Sequence, residues 1–216
     1  MAAGTGDVPS VKMFLKIKGK NRPNVNAADK SGSTPLHAAC QNRHADVVQL
    51  LLRGGARTNV RDARGFSPLI VAALHENVRM TALLLATGNH DIDARGKMGN
   101  TALMTAAQEG HIDVVNALLA YKTAPGLEFV DKENGFSALS SAAYFENEET
   151  VKALVHAGAS CITPTAQGWN AIELAESRAP EGKKAELVIW MKEHCLGSKE
   201  LMKRAAAKRQ AKKDEL

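Results

Sequence analysis

The stretch Thr34-Pro35-Leu36-His37-Ala38-Ala39 decides how this chain folds, because variants of it recur along the 216-residue sequence. Each copy follows a glycine, and successive glycines are separated by 33, 34, 36 and 33 residues. These glycines are Gly32, Gly65, Gly99, Gly135 and Gly168. The copy after Gly168 is degenerate, but it keeps the spacing. A constant period near 33 residues indicates internal repeats that stack on one another.

Each copy has the features of a helix start. A threonine or serine stands where a helix N-cap needs a side-chain acceptor, at Thr34, Ser67, Thr101 and Ser137. Pro35 and Pro68 then occupy the first helical position, where the missing N–H costs nothing. A second apolar pattern at helical spacing follows each copy, and three of these end near glycines (Gly54-Gly55, Gly88 and Gly158). The sequence therefore predicts a repeating unit of turn, helix, turn and helix.

On these residues the sequence resembles the ankyrin repeat family, whose signature T-P-L-H-x-A and 33-residue period it matches. The resemblance covers roughly residues 29 to 176. Some copies depart from the signature: Ala102 and Ala138 stand in place of proline, and Met104 and Ser140 in place of histidine. Extra residues from 124 to 127 lengthen the connection before the fourth copy. The resemblance implies an all-α solenoid of about four full repeats between two partial caps.

The period divides the chain into seven segments. They are an N-terminal partial repeat (1–28), four ankyrin repeats (29–61, 62–95, 96–131 and 132–164), a degenerate C-terminal cap (165–197) and a basic helical tail (198–216). In the first segment, the residues expected to form the packed face are Val11, Met13, Phe14 and Leu15. In the C-terminal cap, the apolar residues of an amphipathic helix are expected to be buried: Leu187, Val188, Trp190 and Met191.

Composition sets the class of protein. Hydrophobic residues make up 44% and charged residues 24% of the chain, which is ordinary for a soluble globular protein. No apolar stretch approaches the roughly 20 residues of a membrane helix, and the N-terminus does not resemble a signal peptide. Cys40, Cys161 and Cys195 are odd in number and lack metal-ligand spacing. We expect three reduced thiols in a cytoplasmic or nuclear protein, with no metal and no cofactor.

No catalytic motif is present, neither a zinc-protease, phosphate-loop or hydrolase signature nor a dinucleotide fingerprint. By the resemblance, His37 is a structural histidine that hydrogen-bonds the turns, and His44 and His111 lie at the turn between paired helices. Glu148 and Glu149 are expected on a solvated outer helix. The sequence therefore predicts a non-enzymatic monomer that acts as a protein-binding adaptor or regulator.

The resemblance also implies where a partner binds, on the concave face formed by the hairpins and the first helix of each repeat. The candidate partner-binding residues at these positions are Phe66, Leu74, His75, Asn100, Gln108, Glu109, Phe136, Tyr144, Phe145 and Trp169. Aromatic residues are only 4% of the chain, yet five fall at these positions. We expect one contiguous patch of Phe136, Tyr144, Phe145 and Trp169, bordered by Lys97, Glu109 and Arg178. A structural role remains open, because a ring after the repeat glycine can also pack on the next hairpin.

The tail carries its own signals. Residues 198–216 contain seven basic and three acidic residues, whereas the rest of the chain is nearly neutral. The basic positions of interest are Lys203, Arg204, Lys208, Arg209, Lys212 and Lys213. These residues are typical of a nuclear factor whose tail contacts nucleic acid, of a nuclear localisation signal, or of a segment that contacts an acidic membrane. The remaining alternative is a solvated extension without a specific function. The sequence Lys213-Asp214-Glu215-Leu216 matches an endoplasmic reticulum retention signal, and retention there is the alternative location.

Overall fold

A computed structural model describes residues 2–19, 23–88, 91–123, 125–178 and 184–195 of the chain. Regular secondary structure in these residues is entirely helical. The helices are α1 (Ala2–Thr5), α2 (Val8–Lys16), α3 (Pro35–Gln41), α4 (Ala45–Arg53), α5 (Pro68–Leu74), α6 (Val78–Ala86), α7 (Ala102–Glu109), α8 (Ile112–Leu119), α9 (Ala138–Tyr144), α10 (Glu148–His156), α11 (Ala171–Arg178) and α12 (Lys184–Cys195). The prediction of an all-α fold is confirmed.

The four predicted N-caps start the four helices that follow them. Each hydroxyl oxygen accepts a hydrogen bond from the backbone N–H three residues further on, as Thr101 does from Met104 at 3.2 Å. Pro35 and Pro68 are the first residues of α3 and α5. These caps satisfy N–H groups that a helix cannot pair internally, so local sequence sets where each helix begins.

The helices form two layers. The inner layer contains α1, α3, α5, α7, α9 and α11, and the outer layer contains α2, α4, α6, α8, α10 and α12, each helix contacting its neighbours in the same layer. Paired alanines on the inner helices are fully buried, as at Ala72-Ala73 and Ala106-Ala107. Their small side chains let neighbouring inner helices approach closely. Leucines such as Leu118 and Leu154, both 0% exposed, fill the space between the layers.

Hairpin-like turns join one repeat to the next and stack in a ladder. The Ala63 N–H donates to the Ser31 carbonyl oxygen (2.7 Å), Lys97 to Arg64 (3.0 Å), Lys132 to Met98 (2.8 Å) and Ala166 to Asn134 (2.8 Å). Gly65 needs to be a glycine, because its φ is +79° and an added Cβ would lie 2.7 Å from the Lys97 nitrogen. The period seen in the sequence is therefore the spacing of this ladder.

The two ends of the solenoid differ from each other. At the N-terminal end Val11 is buried and Leu15 half-buried, but Met13 is 61% and Phe14 45% exposed. The prediction that Met13 and Phe14 belong to the packed face was wrong, because α2 packs against α1 and α4 with Val11 and Leu15 toward the core. At the other end Leu187, Val188 and Met191 are buried, as expected, and Trp190 is half-buried.

The cysteines correct another expectation. Cys161 and Cys195 form a disulfide, with their Cα atoms 5.7 Å apart, whereas Cys40 is free and buried. Three reduced thiols had been expected. The 34-residue separation of the pair is close to one repeat, and α12 packs beside α10, so Cys195 in the last unit lies next to Cys161 in the preceding one.

In the described residues, none of the helices has the length and apolarity required to cross a bilayer. No group of histidine, cysteine and carboxylate side chains in that part of the chain is arranged to hold a metal ion. Residues 198–216 lie outside the described residues, so the predicted helical tail and its basic positions are not part of the structure.

Candidate functional site

Three aromatic rings meet around α9 in the fourth repeat. The ring centroids of Phe136 and Tyr144 are 5.3 Å apart, and those of Tyr144 and Phe145 are 5.2 Å apart with edge-to-face geometry. Phe136 precedes α9, Tyr144 is its last residue and Phe145 caps its C-terminus. We call Phe136, Tyr144 and Phe145 the aromatic patch. Phe145 is 47% exposed, so the patch presents apolar area to solvent.

A cation from the next repeat lies over this patch. The Arg178 guanidinium carbon lies 4.7 Å from the centroid of the Tyr144 ring, within the range of a cation–π contact. Arg178 is the last residue of α11. The sequence placed Arg178 at the border of the surface, and the structure shows it stacked on Tyr144. The fourth and fifth units therefore share one surface.

Trp169 does not join the aromatic patch. It is 44% exposed, its backbone N–H donates to the Thr165 hydroxyl (3.1 Å), and within the described residues its ring contacts no ring of the patch. The expected patch of four rings is therefore a cluster of three, with Trp169 as a separate exposed ring in the next repeat. The sequence position after the repeat glycine does not determine the direction of the side chain.

Phe66 has a structural setting. It is half-buried, and the Arg64 guanidinium carbon lies 4.5 Å from the ring centroid. Arg64 also pairs with Asp62 at 2.9 Å. Burial alone would raise the pKa of Asp62, but hydrogen bonds from the Phe66 N–H and from Arg64 outweigh it and lower the pKa. The Phe66 ring also lies against Gly96 of the next hairpin, where an added Cβ would come within 3.1 Å of it. This is the structural role that sequence analysis left open for a ring after the repeat glycine.

The other candidate positions divide by exposure. Gln108 and Glu109 are exposed at the end of α7, and the Gln108 amide donates to the Glu109 carboxylate (3.3 Å). Asn100 is half-buried, and its amide donates to the Thr105 hydroxyl (3.1 Å). Asn100 therefore presents less of its side chain to a partner than Gln108 and Glu109 do.

Leu74 and His75 are half-buried at the end of α5. The Nε2 atom of His111 lies 3.2 Å from the Leu74 carbonyl oxygen and ties the two turns together. Burial lowers the pKa of His75, and the positive charges of Arg43 and Arg64 lower it further. Arg43 and Arg64 therefore both lie near His75.

The buried histidine of the first copy connects two repeats. His37 is 2% exposed. Its Nδ1 atom accepts from the Thr34 backbone N–H (3.2 Å), and its Nε2 atom donates to the Phe66 carbonyl oxygen (3.0 Å). Burial lowers the pKa of His37, which favours this neutral form. The structural role that the resemblance implied for His37 is what the hydrogen bonds show.

The family described as ankyrin repeats matches the chain in three copies, at residues 1–96, 54–129 and 83–165. These matches cover most of the chain, and the stacked two-layer structure agrees with them. The chain belongs to the ankyrin repeat family.

Several proteins are similar to this chain. Escherichia coli K12 YahD, named as an ankyrin repeat protein, is 26% identical over 88% of this chain and 92% of its own length. ZDHHC13 of Danio rerio, named as a palmitoyltransferase, is 35% identical over 67% of this chain, which spans only 22% of that protein. Human ankyrin repeat and SAM domain-containing protein 1A is 38% identical over 48% of this chain and 9% of its own length. The last two similarities concern only a small part of each longer protein.

Proposed function

We propose that this chain is a non-catalytic adaptor or regulator that binds a partner protein through the concave face of its repeats. Ankyrin repeats are in general protein-interaction modules, and this chain belongs to that family. The observation that carries the proposal is the aromatic patch, which presents Phe145 at 47% exposure beside the half-buried Tyr144. Contiguous exposed apolar area of this kind marks interaction sites on soluble proteins.

The physical case rests on what the rings can contribute. Aromatic side chains bury a large apolar area and lose few rotamers on binding, so they are common among interface hot spots. Tyr144 is already ordered by Phe136 and Arg178, which lowers the entropy that it would lose in a complex. Gln108 and Glu109 at the end of α7 and the separate Trp169 ring are further exposed side chains that a partner could contact.

The test is a double variant, Tyr144→Ala with Phe145→Ala, compared with the wild-type chain in capture from source cells by quantitative mass spectrometry. A hot-spot pair contributes at least about 2 kcal/mol, so capture of the partner should fall about thirtyfold. The matched control is Met13→Ala with Phe14→Ala, which removes exposed apolar area on α2. Capture by the control should equal that of the wild type.

Thermal stability separates binding from folding. Phe145 is exposed and Tyr144 is half-buried, so the double variant should remain folded and lose at most about 1 kcal/mol. Unfolding of the double variant would show that the rings belong to the core. Folding with unchanged capture would show that the partner binds elsewhere.

A second function belongs to the basic tail, in which Lys203, Arg204, Lys208, Arg209, Lys212 and Lys213 contact nucleic acid while the repeats bind a protein. The supporting observation is the concentration of positive charge in residues 198–216, beyond a nearly neutral body. Phosphate contacts lose affinity steeply as salt rises. Nucleic-acid binding that is strong at about 50 mM salt and lost at about 200 mM would support this function.

A further inference from the structure

The aromatic patch has a negatively charged side, along the edge where the turns between paired helices stack. The Asn147 amide donates to the carbonyl oxygens of Ala107 (2.8 Å) and Gln108 (2.9 Å), which holds the α9–α10 turn against the end of α7. Glu109 ends α7 and Glu146 lies in the α9–α10 turn, and both are exposed. These bonds therefore bring the turn that carries Glu146, the residue after Phe145, against the end of α7 that carries Glu109.

The first turns of the outer helices add further carboxylates. Asp113 in α8 and Glu148 and Glu149 in α10 are exposed. Lys152 pairs with Glu148 (2.7 Å) and Glu149 (3.4 Å), and Arg178 is the second cation near this edge. We call the five carboxylates of Glu109, Asp113, Glu146, Glu148 and Glu149 the acidic border. Because they outnumber the two cations, this side of the patch has a negative potential.

The first two repeats carry charges of both signs at the corresponding positions. Arg43 and Arg79 are exposed there, and so are Asp46 and Glu76. Arg79 pairs with Asp46 at 3.2 Å. The excess of carboxylates is therefore found at the third and fourth repeats, beside the aromatic patch.

We propose that the aromatic patch and its acidic border receive a segment of a partner protein in which apolar or aromatic side chains are flanked by lysine or arginine. The inference rests on the proposed function, since it names the ligand class of the same surface. Apolar side chains of the segment cover the rings, and its cations meet the acidic border. The exposed face of Phe145 also attracts cations through its quadrupole. An acidic segment would meet like charge, which costs affinity.

The experiment uses the full chain and two fluorescent peptides with the same Leu-Trp-Leu centre. One peptide carries three lysines on each side of the centre, and the other carries three glutamates. The lysine peptide should bind at least about tenfold more tightly at about 50 mM salt, and the difference should shrink at about 500 mM because salt screens exposed charges. Equal affinities at low salt, or tighter binding of the glutamate peptide, would overturn the inference.

Charge-reversed variants locate the site. The double variant Glu109→Lys with Glu146→Lys should bind the lysine peptide about tenfold more weakly than the wild type does. The matched control, Glu186→Lys with Glu193→Lys, changes the net charge equally at exposed positions of α12 and should leave binding within about twofold of the wild type. Equal weakening by both pairs would show that only the total charge matters, and it would overturn the inference.

The ring variant distinguishes this inference from the proposed function. The double variant Tyr144→Ala with Phe145→Ala should bind both the lysine peptide and the natural partner more weakly than the wild type does. Loss of the natural partner without any binding of the lysine peptide to the wild type would leave the proposed function standing and overturn the inference. Unchanged binding of both the partner and the peptide to the ring variant would overturn both proposals.

Discussion

The Nε2 atom of His37 lies 3.0 Å from the backbone carbonyl oxygen of Phe66, a residue 29 positions further along the chain. The opposite ring atom, Nδ1, accepts from the Thr34 N–H at 3.2 Å and so cannot carry a proton. One imidazole thereby joins a helix start in one repeat to the hairpin of the next. Only the neutral tautomer protonated on Nε2 makes both bonds.

This pair predicts how stability depends on pH. The pKa of His37 lies below its ordinary value of 6.5 because the ring is buried. At pH values between the pKa of His37 in the folded chain and its pKa in the unfolded chain, the unfolded chain binds more protons than the folded chain. Lowering the pH therefore favours unfolding. The contribution of His37 to the free energy of unfolding should be complete above pH 6.5. It should decrease as the pH falls from 6.5 through the lower pKa that His37 has in the folded chain. Denaturant unfolding at about pH 7.5 and about pH 5 would measure it.

The His37→Gln variant isolates this contribution from that of other groups. It should lose about 1–3 kcal/mol at about pH 7.5, because buried hydrogen-bonding groups lose their partners. Its stability should also fall less than that of the wild type between the two pH values. His156→Gln, at an exposed position of α10, is the control. The same pH dependence in His37→Gln and wild type would contradict the prediction.

The second prediction concerns the layer between the helices. Leu118 and Leu154 are both 0% exposed, so replacement of either by alanine leaves a cavity and should cost about 2–5 kcal/mol. Ile189→Ala, at a position 54% exposed in α12, should cost less than about 0.5 kcal/mol. Chemical denaturation measures all three. Losses below about 0.5 kcal/mol at both leucines would show that the repeats stack in a different register.

The third prediction concerns the Cys161–Cys195 disulfide. The bond closes a loop with a sequence separation of 34, and a loop of this size gives about 4 kcal/mol in the chain-entropy treatment. Cys161→Ser should therefore unfold at lower denaturant concentration than the oxidised wild type, and a reducing agent should bring the wild type close to the variant. The Cys40→Ser variant should still lose stability when a reducing agent is added, because it keeps the Cys161–Cys195 disulfide. Stability of the wild type that does not respond to a reducing agent would contradict this role.

The fourth prediction concerns location, for which the sequence suggested cytoplasm or nucleus with the endoplasmic reticulum as the alternative. Disulfides persist in oxidising compartments, so a Cys161–Cys195 pair that is oxidised in cells would point to the alternative. We expect a fluorescent fusion at the N-terminus, delivered by a secretory signal, to be retained in the endoplasmic reticulum. Deletion of residues 213–216 should abolish retention. Retention that persists after the deletion would show that these residues are not the signal.

An unmodified chain tests the same prediction without a delivery signal. Immunostaining of source cells, combined with thiol trapping, would report both the compartment and the oxidation state of Cys161 and Cys195. Cys40 is a built-in reference, because burial raises its pKa to about 12 and keeps it unreactive in the folded chain. Reduced Cys161 and Cys195 in a cytoplasmic or nuclear protein would support the first expectation instead.

The sequence by itself determined the repeating architecture, because the signals that define it act over a few residues. Thr34, Ser67, Thr101 and Ser137 start their helices through bonds to the third residue on. The turn glycines allow positive φ wherever the ladder requires it. Helix caps, turns and apolar periodicity are local, so they can be read without knowing which repeats touch.

Tertiary structure alone decided which distant residues meet and which side chains face solvent. Cys161 meets Cys195 because α12 stacks beside α10 as the next helix of the outer layer. Among the residues that the structure describes, Phe14 is exposed on α2, and Phe136 meets Tyr144 whereas Trp169 stands apart. Equivalent positions in a repeat share a backbone, but the neighbours of each side chain depend on the repeats on either side, which a single repeat does not encode.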